Sequence, residues 1–241
     1  LENQIVAQPG FRRVLLASIG ALVLAACQDA APPAAAPGAE TVVAAEEEPV
    51  METVSLLAKM VCGADGFIRQ DATRESLVQT FGAENLVEEE LAWVDSVETA
   101  LVLFPDEPAM RTEMFWLDKT SGGPRYVSAG GAQSQWIGPG GLFVGAGLAD
   151  VEAANGGPFE LMGFQNHNAG EVTDWLGGAL AAKPGETCEF AMVMALSPDA
   201  ASEVVVPVSG DPEKVYRSDS PEMRAANPSA DALALQFFDP S

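Results

Sequence analysis

The sequence predicts an α+β fold of antiparallel sheet with few short helices, laid out as two helix-plus-meander units with the look of a tandem repeat. Three observations predict it. Regular apolar patterning begins near residue 51 and runs for some 190 residues, enough for one domain or two small ones. Two stretches about 75 residues apart, GFIRQDATRESLVQTFG (66–82) and GLFVGAGLADVEAANG (141–156), run from Gly through apolar residues into a short helical pattern and a closing Gly. Each is followed by a train of strand-like runs, and helix then meander, twice over, argues for α+β. The expected segments are 1–26 an export signal, 27–50 a tether, 51–140 a first α+β unit and 141–241 a second.

At the start of the chain, Arg12 and Arg13 precede the apolar run VLLASIGALVL (14–24). A bilayer-spanning helix needs about 20 residues, so this run reads as a signal rather than an anchor. The paired arginines leave both general and twin-arginine export open. Leu24, Ala25, Ala26 and Cys27 then resemble the lipobox of bacterial lipoproteins. That resemblance implies a diacylglyceryl group on the Cys27 thiol, cleavage just before it, and attachment to a lipid bilayer through the Cys27 acyl chains. Each buried methylene contributes about 0.8 kcal/mol, so several chains anchor stably. Gln28 follows the cysteine. By analogy with sorting in which Asp at that place retains a lipoprotein on the inner membrane, this favours the periplasmic face of the outer membrane.

Residues 28–50 hold eight alanines and four prolines. Such a mixture offers too little apolar area to offset chain entropy, so a disordered tether is expected. Its mean reach would be roughly 25–30 Å as a flexible coil and up to about 70 Å if extended as a Pro-rich segment. Glu46, Glu47 and Glu48 read as solvated linker.

In the first unit, Thr73 can cap a helix, Glu75 suits its first turn, Leu77, Val78 and Phe81 form its apolar face, and Gly82 supplies the stop. The strand-like runs that follow are NLVEEELAWV, TALVLF, RTEMFWLD and PRYVSAG. In the second unit, Leu148 and Val151 take the helical face and Asn155 with Gly156 ends it. FELMGF, EVTDWLGGAL, EFAMVMAL, SEVVVPV and LALQFF then read as strands.

With Cys27 lipidated, Cys62 and Cys188 remain, and a lone pair in an oxidising compartment points to a disulfide. Two separately buried thiols, or a metal or reactive thiol, are the alternatives. Removing residues 1–26 leaves 10 basic against 34 acidic residues, a net charge of −24. Such a surface repels phosphate backbones, which excludes nucleic acid as an expected partner. Basic proteins, cationic peptides and divalent ions suit it, and so does plain solubility.

Residues fit for catalysis are few. His167 is the sole histidine, between Asn166 and Asn168, and reads as a turn residue. No G-x-S-x-G elbow supplies a nucleophile, zinc would need more N and S ligands, and Asp65, Asp71 and Glu75 lack calcium-loop spacing. The glycines at 138–147 lack the strand and Lys of a phosphate loop. No catalytic residue, metal site or cofactor is therefore assigned. Trp93, Trp116, Trp136 and Trp175 fall in or beside strand patterns, most of them as core, with one or two as candidate partner anchors.

The T-x-x-x-L-x-x-x-F-G pattern of Thr73, Leu77, Phe81 and Gly82 resembles the helical motif of small BamE/SmpA-type envelope lipoproteins and of β-lactamase-inhibitor-like repeats. The segment 155–178 resembles a stretch of bacterial exported proteins of unassigned activity. These resemblances imply helices packed on one face of an antiparallel sheet. The expected function is an anchored binding or assembly module for another envelope protein. The alternative is a carboxylate-dependent hydrolase of glycan or ester substrates using residues such as Glu160 or Asp174.

Overall fold

A computed structural model describes residues 59–63, 66–93, 96–116, 123–165 and 167–238. The export signal 1–26, Cys27, the tether and Asp65 lie outside the described residues. The chain is α+β, with antiparallel sheets and short helices. Among the described residues no helix is long and apolar enough to cross a membrane.

Helix α1 (Arg74–Phe81) starts at a reciprocal cap: the Ser76 amide donates to Thr73 Oγ1 at 3.2 Å, and the Thr73 amide to Ser76 Oγ at 3.0 Å. Gly82, at φ 86°, ends it. Leu77 is buried, with Val78 and Phe81 partly so. Helix α2 (Leu148–Asn155) begins with the Gly147 amide donating to Asp150 Oδ2 at 3.0 Å and stops at left-handed Gly156.

The first sheet runs β1 (Leu86–Trp93), β2 (Ser96–Leu103), β3 (Thr112–Phe115), β4 (Tyr126–Gly130), and then β9 (Ser229–Phe237) and β7 (Cys188–Ala195), every pair antiparallel. The stretches 51–140 and 141–241 therefore contribute four and two strands to one shared sheet. A second, three-stranded sheet places β5 (Glu160–Met162) between β6 (Val172–Asp174) and β8 (Val215–Arg217).

Alternation sets the layers. Along β7 the buried positions are Cys188, Phe190, Met192 and Met194, and the half-buried ones lie between them. The buried face packs with Met60, Leu77, Trp136, Leu148, Phe159 and Met223 in one core cluster. On the opposite face a single rung crosses all six strands: Glu89, Ala100, Phe115, Tyr126, Gln236, Glu189.

Two strand expectations are corrected. SEVVVPV is helix α3 (Ser202–Ser209). Pro207 would cost a strand its ladder bond, whereas in the helix the last-turn carbonyls find outside donors: Tyr216 Oη gives to Pro207 O at 2.8 Å and the Phe164 amide to Val208 O at 2.9 Å. EVTDWLGGAL keeps only the three residues of β6, because Asp174 Oδ1 takes the Leu176 amide at 2.6 Å and Leu176 turns to φ 52°. Strand β8 and helix α4 (Pro221–Ala226) had no counterpart in the sequence reading. Helix α4 is joined to α2 through Glu152, which accepts from Arg224 and from the Ser218 hydroxyl.

Candidate functional site

The edge of β7 is closed by the segment that leads into β6. Glu171 bridges Val193, and the Met194 amide donates to Gly170 O at 2.8 Å. Gly170 has φ 73°, and a Cβ there would lie 1.9 Å from Met194 O, so only glycine allows this approach. The turn after β6 is fixed from within by Asn155. Its side-chain amide donates to the carbonyls of Gly157, Pro158 and Trp175 at 3.2, 3.3 and 3.0 Å, and its Oδ1 accepts from the Leu180 amide at 3.2 Å. Trp175 is thereby held against Phe190, with ring centroids 5.8 Å apart, and its indole N–H donates to Phe190 O at 2.9 Å.

These contacts leave a cleft of about 500 Å³ between β6 and β7. Glu171, Asp174 and Glu189 line it, with Asn168 and Gln236 as neutral polar groups and Met162, Trp175 and Phe190 as apolar surface. No basic side chain lines it among the described residues. Burial lifts the Glu171 carboxyl above the usual carboxylate range, with the charge of exposed His167 acting the other way. Burial lifts Glu189 too. The neighbouring Tyr126 phenol is pushed up to about 12, first by burial, then by the charge of Glu171, while a Ser128 hydrogen bond opposes the rise and Glu113 adds to it. An acidic cleft thus carries carboxyls held in partial desolvation, and a cation entering it would relieve that cost.

The structure bonds Cys62 to Cys188, with sulfurs 1.97 Å apart and Cα atoms 5.8 Å apart, immediately before cleft residue Glu189. Trp136 is fully buried, its indole N–H on Met110 O at 3.2 Å, and so offers no partner a ring face. Trp175 is buried as well and lines the cleft. Trp116 is half-buried against the core, and the Trp93 side chain lies outside those described. Glu160 and Asp174 face each other across β5 and β6, and Asp174 is engaged in its turn. Asp71 pairs with Arg69 at 2.9 Å. No group of three or more His, Cys, Asp or Glu that could hold a metal occurs among the described residues. Sequence reasoning missed Glu171 and Glu189, since it is the pairing of Gly170 and Glu171 with β7, and no sequence spacing, that places both on one cleft.

No protein-family model, curated protein or solved structure matches the chain.

Proposed function

We propose that the chain is a lipid-anchored envelope protein, tethered through Cys27, that binds a cationic group of an envelope protein partner in the cleft between β6 and β7. The observation that carries the binding reading is the cleft wall, with three carboxylates, aromatic surface and no basic side chain among the described residues. A lysine or arginine side chain fits that chemistry, its apolar stem against Trp175 and Met162 and its head on Glu171 and Glu189. The resemblances to BamE/SmpA-type lipoproteins, the tandem-repeat arrangement and the outer-membrane placement belong to this proposal and rest on the sequence motifs.

Titrating the full chain with an arginine-rich peptide by calorimetry tests it. Glu171→Gln with Glu189→Gln should weaken binding about tenfold or more, the scale of one or two charged hydrogen bonds. Affinity should rise with pH through the lifted carboxyl range, because the ionised form is the one that holds a cation. Unchanged affinity in the double variant would overturn the cleft as the site. For the anchor, Cys27→Ser should abolish incorporation of an alkyne fatty acid and release the protein from membranes; unchanged labelling would end that part of the proposal.

The hydrolase alternative gains nothing from Asp174, whose Oδ1 is engaged by the Leu176 amide. Turnover of a glycan or ester that vanishes in Glu171→Gln while peptide binding persists would favour it instead.

A further inference from the structure

At the end of the six-stranded sheet opposite the cleft, β1 pairs only with β2, and no other described strand meets the main-chain donors and acceptors of its outer edge. The hairpin also outruns its support. Strand β3 pairs with β2 only from Ala100 to Leu103, leaving residues 90–93 and 96–99 as a two-stranded ribbon beyond the sheet. The four β2 residues in that ribbon are exposed, Val97 at 65%.

The charges decide what can pair there. Glu88, Glu89 and Glu90 are consecutive on β1, and Glu98 lies on β2 opposite Leu91. Glu88 meets Arg74 at 3.5 Å with both side chains half-exposed or more, and Glu89 is engaged by Arg111 at 2.7 Å. Among the described residues the carboxylates of Glu90 and Glu98 accept from neutral hydroxyls, Thr99 at 2.7 Å and Ser96 at 2.9 Å. A second copy of this chain pairing edge to edge would set one glutamate run against the other, and like charges directly opposite destabilise a ladder. A strand with basic residues at alternate positions meets the same carboxylates with the favourable sign. Alternate apolar residues on that strand would fall on the other face, which β1 lines with Val87 and Leu91.

We infer that the β1 edge takes up an extended, basic segment of a partner protein as an added strand, with main-chain hydrogen bonds giving affinity and the glutamates selecting charge. This inference stands on the sheet edge alone and does not depend on the cleft.

The test uses the full chain and a fluorescent peptide alternating Lys with Val, compared with a fully N-methylated copy that keeps the charges but lacks amide donors. The unmodified peptide should bind, hydrogen exchange should slow within 86–93, and the N-methylated copy should bind about tenfold more weakly or worse. Glu88→Lys with Glu90→Lys should weaken binding to a similar degree, and Glu88→Gln with Glu90→Gln by less, which guards against misfolding of the reversed variant. Glu171→Gln with Glu189→Gln should leave this binding unchanged. Equal binding of the N-methylated copy, protection confined to 171–174 and 189–191, or no binding by either peptide would each overturn the inference.

Discussion

Glu89 and Glu189 stand at the two ends of one rung of the six-stranded sheet, and their carboxyls are perturbed in opposite directions. Glu89, on β1, is held below the usual range, first by its hydrogen bond from Arg111, with slight burial opposing and the Arg111 charge adding. Glu189, on β7, is lifted by burial. The same side chain in the same register therefore meets water and a guanidinium at one edge, and a roof made by the chain itself at the other. Closing an edge with a second sheet dries its carboxylates; leaving it open lets arginine stabilise them.

The largest expected effect comes from undoing the closed edge. Cys188→Ala removes a cross-link spanning 126 residues, and the chain-entropy model puts the loss at about 4–5 kcal/mol. Urea unfolding should show the drop, and native-state exchange should quicken more in β7 than in β1; equal quickening at both would erase the contrast.

Asn155→Ala comes next. It strands the Gly157 and Pro158 carbonyls and the Leu180 amide and leaves the Trp175 carbonyl to the Gly178 amide alone, for a cost of about 3 kcal/mol. Peptide binding at the cleft should fall with it, while binding at β1 persists.

Acid should sharpen the comparison without any mutation. Glu171 and Glu189 have raised folded-state pKa values, so their contribution is complete below the unfolded value and is lost as pH rises through the lifted range. Glu89 is depressed, so its contribution is present above the unfolded value and is lost as pH falls through the lowered range. On acidification, exchange-derived stability should first improve at the β7 edge, and only at lower pH decline at β1.

The smallest effect is Thr99→Val, which removes the exposed hydrogen bond to Glu90. Stability should stay within about 0.5 kcal/mol in thermal melts.

Local signals in the sequence are legible where one residue performs one task. Thr73 and Gly82 mark the ends of α1, and period-two alternation marks β7. They mislead at SEVVVPV, where a β-branched run carries no periodicity to separate strand from helix. The cleft had no local signature at all. Glu171 and Glu189 become neighbours of one cavity only because Gly170 lets two backbones approach, and their perturbation comes from a roof assembled by tertiary packing. Trp175 was visible as an aromatic in a strand-like run, but its role as cleft lining depends on Asn155, which had read simply as a helix end.

The bond between Cys62 and Cys188 also has a mechanical side. A pull on the chain from its N-terminal side can pay out slack only as far as Cys62, where the load crosses directly to the first residue of β7. The 126-residue span closed by that bond, which includes β1 through β6, is then bypassed by the tension. That holds for a load taken between the N-terminal side and a point beyond β7, which leaves the β1–β2 hairpin and β6 outside its path.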